Sequence, residues 1–206
     1  KLLKSYINVS AVYYQMKRWE DAAIYAEKAV AIEPNNTEAR SNMGAAYKEL
    51  GRYEEALSHL SRAAKMDPGN HGINYNLALV YYETSRYADA ARILEGMLSK
   101  TPYDLAILVL LALNYEKIGK DWKIEDIYLS AIKAEPEDHL LYYNLACFYA
   151  THEKPEKAIL ELREALRKGM HDPDLLIKDP DLNSLRNRPD FKEILTHMPP
   201  PPPPSL

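Results

Sequence analysis

The chain of 206 residues predicts an all-α protein built as an array of antiparallel helix pairs. Three observations carry that expectation. Pro34, Pro68, Pro102 and Pro136 stand 34 residues apart, a period that belongs to repeat architectures. Tyr13, Tyr47, Tyr81, Tyr115 and Tyr149 keep the same step. So do Val9, Met43, Leu77, Leu111 and Leu145, each followed by a small residue: Ser10, Gly44, Ala78, Ala112, Ala146.

Each unit reads as two helices. In Glu38–Asn70 apolar groups recur at three- and four-residue spacing, Gly51 interrupts them, a second amphipathic run follows, and Asp67-Pro68-Gly69 ends it. Proline stops the second helix because it lacks an N–H and disfavours helical geometry in the residue before it. Two further columns, Ala22, Ala56, Ala90, Ile124, Ala158 and Ala29, Ala63, Met97, Ala131, Ala165, mark where the two axes come close. Large residues such as Tyr47, Tyr53 and Leu60 fill the space between units. The units are expected at about 3–36, 37–70, 71–104, 105–138 and 139–170.

These columns resemble the tetratricopeptide repeat. The resemblance covers about residues 3 to 170 and implies a right-handed α-solenoid of helix pairs, with first helices lining a concave face and second helices the outer face. Two departures predict irregular turns. The fourth unit has Asp121-Trp122 and Ile124 where an aromatic and then Ala are usual, and the fifth has Pro155 and Met170 in place of an aromatic and the terminal Pro. Beyond them, Asp172-Pro173, Asp179-Pro180 and Pro189 read as starts of short capping helices over 171–198. Their Leu175, Leu176, Leu182, Leu185, Phe191, Ile194 and Leu195 would close the open end of the stack. The tail 199–206, with its run of prolines, favours polyproline II: a stiff spacer, or a ligand for an aromatic groove.

Composition narrows the function. A net charge of −4 with scattered Lys and Arg argues against nucleic acid as a partner. The longest apolar run, Leu105–Leu113, is far short of the roughly 20 residues that span a bilayer, so membrane insertion is not expected. The single Cys147 and the six dispersed His offer neither a disulfide nor a multi-ligand metal site, no phosphate loop is present, and no catalytic constellation emerges. No enzyme activity, cofactor or metal is expected. The first residue is Lys1, which suggests a processed chain or a fragment; the compartment stays open, with the cytoplasm favoured over the periplasm.

What remains is binding. The stripe of each first helix that the resemblance turns toward the groove holds Tyr14, then Tyr75, Leu79 and Tyr82, then Val109, Leu113 and Glu116, then Tyr143 and Cys147. It becomes apolar and aromatic toward the C-terminal half. The Lys and Asn residues with which some arrays of this family clamp a carboxylate are missing: Ile7, Ala11, Ser41 and Ala45 stand at the matching places. The expected function is therefore a protein-interaction scaffold or adaptor holding an apolar or amphipathic peptide of a protein partner. Two alternatives are a regulatory or substrate-recruiting segment of a larger enzyme, and a self-assembling array. Self-association would use the uncapped N-terminal end, with Leu2, Leu3 and Val9, or the polyproline tail.

Overall fold

The structure is a computed structural model that describes residues 1–101 and 103–198. Pro102 of the proline series and the polyproline tail, 199–206, lie outside the described residues. Every regular element among the described residues is helical: α1 (Leu2–Gln15), α2 (Trp19–Ile32), α3 (Thr37–Glu49), α4 (Tyr53–Met66), α5 (His71–Glu83), α6 (Tyr87–Leu98), α7 (Leu105–Lys117), α8 (Trp122–Ala134), α9 (His139–Thr151), α10 (Pro155–Arg167), α11 (Pro173–Lys178), a 3-10 turn (Pro180–Leu182) and α12 (Pro189–Thr196). No helix among these residues is long and apolar enough to cross a membrane. The packing separates into two compact units, one of 1–101 with Leu113–Ile118, the other of the described residues in 102–112 and 119–206.

The tyrosine column is explained by the turns. Lys17, Gly51, Ser85, Gly119 and Glu153, again 34 residues apart, adopt left-handed φ of 58, 70, 59, 65 and 56°. A left-handed residue just past a helix allows the next N–H to reach back to the carbonyl five residues earlier. Here Arg18, Arg52, Arg86 and Lys154 donate their N–H to the carbonyls of Tyr13, Tyr47, Tyr81 and Tyr149 at 2.7–2.9 Å. The same cations then lie over the same rings: the guanidinium carbons of Arg18, Arg52 and Arg86 sit 4.6, 4.3 and 4.5 Å from the ring centres, and Lys154 Nζ sits 5.5 Å away. Each such contact adds about 0.5–1 kcal/mol at an exposed site. Helix starts are equally regular. Asn36, Asn70, Asp104, Asp138 and Asp172 cap α3, α5, α7, α9 and α11 by accepting a backbone N–H of the first turn at 2.8–3.2 Å.

The expected irregularity shows in one place. α8 begins at Trp122, one residue late, and Asp121 before it makes no side-chain cap bond, yet Gly119 still holds the left-handed position. In the fifth pair Pro155 sits at the first helical position, where its missing N–H leaves nothing unsatisfied.

In the first unit α1 packs on α2, α3 on α4 and α5 on α6. Its core joins Ala22, Ala26, Met43, Ala46, Tyr47, Ala56, Leu60, Ala63, Ile73, Leu77 and Val80. Gly44 marks the tightest crossing: a Cβ there would stand 2.6 Å from Leu60 Cγ and 3.2 Å from the Leu60 nitrogen.

In the second unit α9 is buried along most of its length against α10 and α8. Glu125 of α8 ties this packing together, accepting from Lys157 Nζ at 2.8 Å and Lys154 Nζ at 3.2 Å and bonding Tyr149. Lys157 first, with Tyr149 and Lys154, holds the Glu125 carboxyl at about 2. Its folded value is depressed, so the stability it contributes is present above the ordinary carboxylate range and is lost as pH falls toward about 2. Acid unfolding of Glu125→Gln, followed by circular dichroism, is therefore expected to show a shallower stability loss below that range than the parent. Identical acid profiles would mean that Glu125 does not tie α8 to α9 and α10.

The capping segment keeps the repeat register. Pro173 and Pro189 open α11 and α12 34 residues after the first residues of α9 and α10. The first helix of this last pair breaks at Asp179-Pro180, and Asp179 occupies the column that Leu145 holds one repeat earlier. Leu176, Leu182, Leu185, Phe191 and Ile194 are buried, while Leu175 and Ile177 remain exposed on the outside.

Candidate functional site

The first helices of the first unit share one face. Tyr14 Oη of α1 donates to Glu49 Oε1 of α3 at 3.0 Å. Lys48 Nζ of α3 donates to Asn76 Oδ1 of α5 at 3.1 Å and pairs with Glu49 at 2.8 Å. Burial and the Glu49 carboxylate push the Tyr14 hydroxyl up to about 12, so it stays a donor at neutral pH. Burial opposes ionisation of Glu49, but Lys48 and Tyr14 outweigh it and hold that carboxyl below its ordinary value.

Of the residues expected to meet a ligand, Tyr14, Tyr75, Leu79 and Tyr82 are half-buried in this unit, and Leu113 and Glu116 are exposed. Leu113 presents 38% of its surface, less than Leu2 or Leu160 outside the stripe. A pocket of about 230 Å³ opens among Lys48, Glu49, Tyr53, Leu79 and Glu83, so Leu79 forms part of a concavity. The smaller residues of the stripe, Ala11 and Ser41, are half-buried, and Ala45 is buried. At the N-terminal end Leu2 and Val12 of α1 and Met16 just past it are exposed, while Leu3 and Val9 are half-buried.

The second unit holds the other three. Val109 is half-buried, but Tyr143 and Cys147 are only 6% and 7% exposed. The capping segment covers them, because its 3-10 turn packs on α9. The Tyr143 hydroxyl donates to Asp179 Oδ2, and Cys147 Sγ lies 3.8 Å from the same oxygen. Asp179 Oδ1 accepts from the Asp181 N–H at 2.9 Å, its carbonyl accepts from Arg186, and Ser184 donates to the Ala150 carbonyl. Tyr143 and Cys147 are thus part of the seat of the cap and present no open surface to a peptide. Burial raises the thiol of Cys147, and Asp179 raises it further; it stays protonated at neutral pH and is a packing group rather than a nucleophile. Asp181 lies close enough for its carboxylate, that of Asp179 and the thiol to fall within 4.8 Å of one another. Burial and the Asp179 charge push the Asp181 carboxyl up. Sequence periodicity put Tyr143 and Cys147 on the stripe expected to face the groove, but it carried no sign that the next unit, though broken, still lies over it. The signal that could have shown this is the 34-residue step from His139 to Pro173.

Paired helices, a recurrent left-handed turn and a recurrent N-cap define a helical-repeat protein of the α-solenoid class. The sequence profile of the tetratricopeptide repeat matches residues 13–65 and 49–113, and a second profile of the same description matches 127–160; the chain belongs to the tetratricopeptide repeat family. Among curated proteins, a chloroplastic protein of Arabidopsis thaliana is 31% identical over 86 residues, 40% of this chain. The chain spans only 26% of the length of that relative. Among solved structures, MamA 41-end from Desulfovibrio magneticus RS-1 is 22% identical with a TM-score of 0.70, covering 82% of this chain and 95% of that one. A further MamA crystal structure is 18% identical with a TM-score of 0.69, over 87% and 96% of the two chains. YrrB, described as a tetratricopeptide repeat protein with an unusual peptide-binding site, is 20% identical with a TM-score of 0.64, over 79% and 84%. These structural matches show the shared fold alone.

Proposed function

We propose that the chain is a non-enzymatic protein-interaction scaffold whose first-helix face in the first unit holds an apolar or amphipathic peptide of a protein partner. The observation that carries this reading is the concavity that includes Leu79, on a stripe whose Tyr75 and Tyr82 are half-buried and whose Leu113 is exposed. The peptide-binding site named for YrrB supports the reading by analogy of fold. Tyr143 and Cys147 stand outside the proposed site because the cap covers them.

The test replaces Tyr75, Leu79 and Leu113 by serine together in the full chain, and compares the proteins retained from native lysate by the parent and the variant. Losing two or three apolar anchors typically costs a peptide complex about 2 kcal/mol or more, enough to lower affinity at least tenfold. Partners held by the parent and lost by the variant, with helicity unchanged, are the expected result. Retention of the same partners would move the binding surface elsewhere.

A further inference from the structure

The pocket of about 230 Å³ lies at the turn after α3, whose side-chain pair differs from those at the turns before and after it. At the turn after α1 the last-turn aromatic packs on the first residue of the next helix: Tyr14 and Trp19 have ring centres 4.9 Å apart. At the turn after α5 the matching pair is Tyr82 and Tyr87, 5.5 Å apart. After α3 the pair is Lys48 and Tyr53. Lys48 is drawn away to Asn76 and Glu49, and among the described residues no aromatic ring packs on Tyr53. The missing ring leaves a concavity walled by Tyr53 and Leu79 and rimmed by carboxylates.

The charge of that rim is unbalanced. Glu49 is neutralised by Lys48 and receives the Tyr14 hydroxyl. Glu83 is exposed, and among the described residues it has neither a hydrogen bond nor an ion pair through its side chain. With Lys48 and Glu49 cancelling, the pocket carries one net negative charge. Glu49 and Glu83 are also the last residues of α3 and α5, where the helix dipole adds negative potential and favours a cation. An aromatic side chain, an aliphatic wall and an unpaired carboxylate match a long basic side chain, whose alkyl stem packs on apolar surface while its head keeps a charged partner.

We propose that this pocket receives an arginine or lysine side chain of the bound peptide, so that the partner segment joins apolar anchors to one basic residue. The inference rests on the proposed peptide-binding role of the first-helix face and specifies the chemistry of its ligand. The basic head pairs with Glu83, and its stem lies against Leu79 and Tyr53. A guanidinium or ammonium group near the Tyr53 ring also gains from the ring's negative face.

The experiment pans a random peptide library displayed on phage against the full chain, and repeats the selection on Glu83→Lys and on the Tyr75/Leu79/Leu113 serine variant. Glu83 is exposed, so its replacement leaves the fold intact, which circular dichroism verifies. The expected result is a set of peptides that need the apolar stripe and carry Arg or Lys at a fixed distance from apolar anchors, a preference lost with Glu83→Lys. For a selected peptide, replacing the basic residue by Ala and replacing Glu83 by Gln should each weaken binding about three- to tenfold, and the two losses should not add. Stripe-dependent peptides without basic enrichment would overturn the basic pocket and leave the binding face standing. Selected peptides indifferent to the stripe would overturn both.

Discussion

Replacing Phe191 by alanine is expected to destabilise the C-terminal unit by about 3–5 kcal/mol, the range for removing a buried aromatic side chain. Phe191 is 1% exposed and, with Ile194, is what α12 buries. α12 has only eight residues, too few to persist without packing. Its ion pairs give little support: Arg163 with Glu193 and Arg188 with Glu156 have at least one partner more than half exposed, and such pairs contribute about 0–1 kcal/mol. The effect should therefore be local before it is global. Amides of α12 should lose protection in hydrogen exchange, and the urea midpoint should fall. A loss under about 1 kcal/mol with α12 still protected would show that other contacts seat the cap.

Leu60→Ala should cost the first unit about 2–5 kcal/mol, because Leu60 is fully buried where α3 and α4 cross. The sharper expectation concerns its partner. In the parent, Gly44→Ala sets a methyl 2.6 Å from Leu60 Cγ and 3.2 Å from the Leu60 nitrogen, an overpacking worth about 1–3 kcal/mol. The helix preference of Ala over Gly returns about 1 kcal/mol of it. Once Leu60 is truncated, the contacts with its Cγ and Cδ2 are gone and only the backbone nitrogen at 3.2 Å remains, which a shift of a few tenths of an ångström relieves. Gly44→Ala should then raise the stability of the Leu60→Ala protein even though it lowers that of the parent. Urea denaturation of the four proteins reads this change of sign; additive effects would mean that α3 and α4 move apart freely and that Gly44 does not set their distance.

The repeat was legible because the same packing problem recurs. Leu77, Leu111 and Leu145 must face the same kind of neighbour, and Ala78, Ala112 and Ala146 must let the same kind of helix approach, so identical answers appear at identical intervals. Less visible were the turns: Lys17, Ser85 and Glu153 take the left-handed conformation without being glycine, and only their alignment with Gly51 and Gly119 reveals them. The cap was recognised by its prolines, but its register was not. Asp179 stands where leucine is the rule, and a carboxylate there makes sense only once the Tyr143 hydroxyl is seen to donate to it. Burial of Tyr143 and Cys147 follows from that contact, which depends on three-dimensional neighbours and not on helix periodicity. The open pocket had a readable cue in Lys48, which stands between Tyr14 and Tyr82 in the same repeat column. The lack of a side-chain partner for Glu83 among the described residues had none.

Titrating isotopically labelled full chain with a selected peptide, and following amide and methyl resonances, reads directly which face of the first unit binds. Shifts are expected at Ala45, Tyr75, Leu79, Glu83 and Leu113 on the first helices. Shifts confined to Ile24, Ile32 and Leu57 on the second helices, with Leu79 and Leu113 unmoved, would contradict binding by the first-helix face.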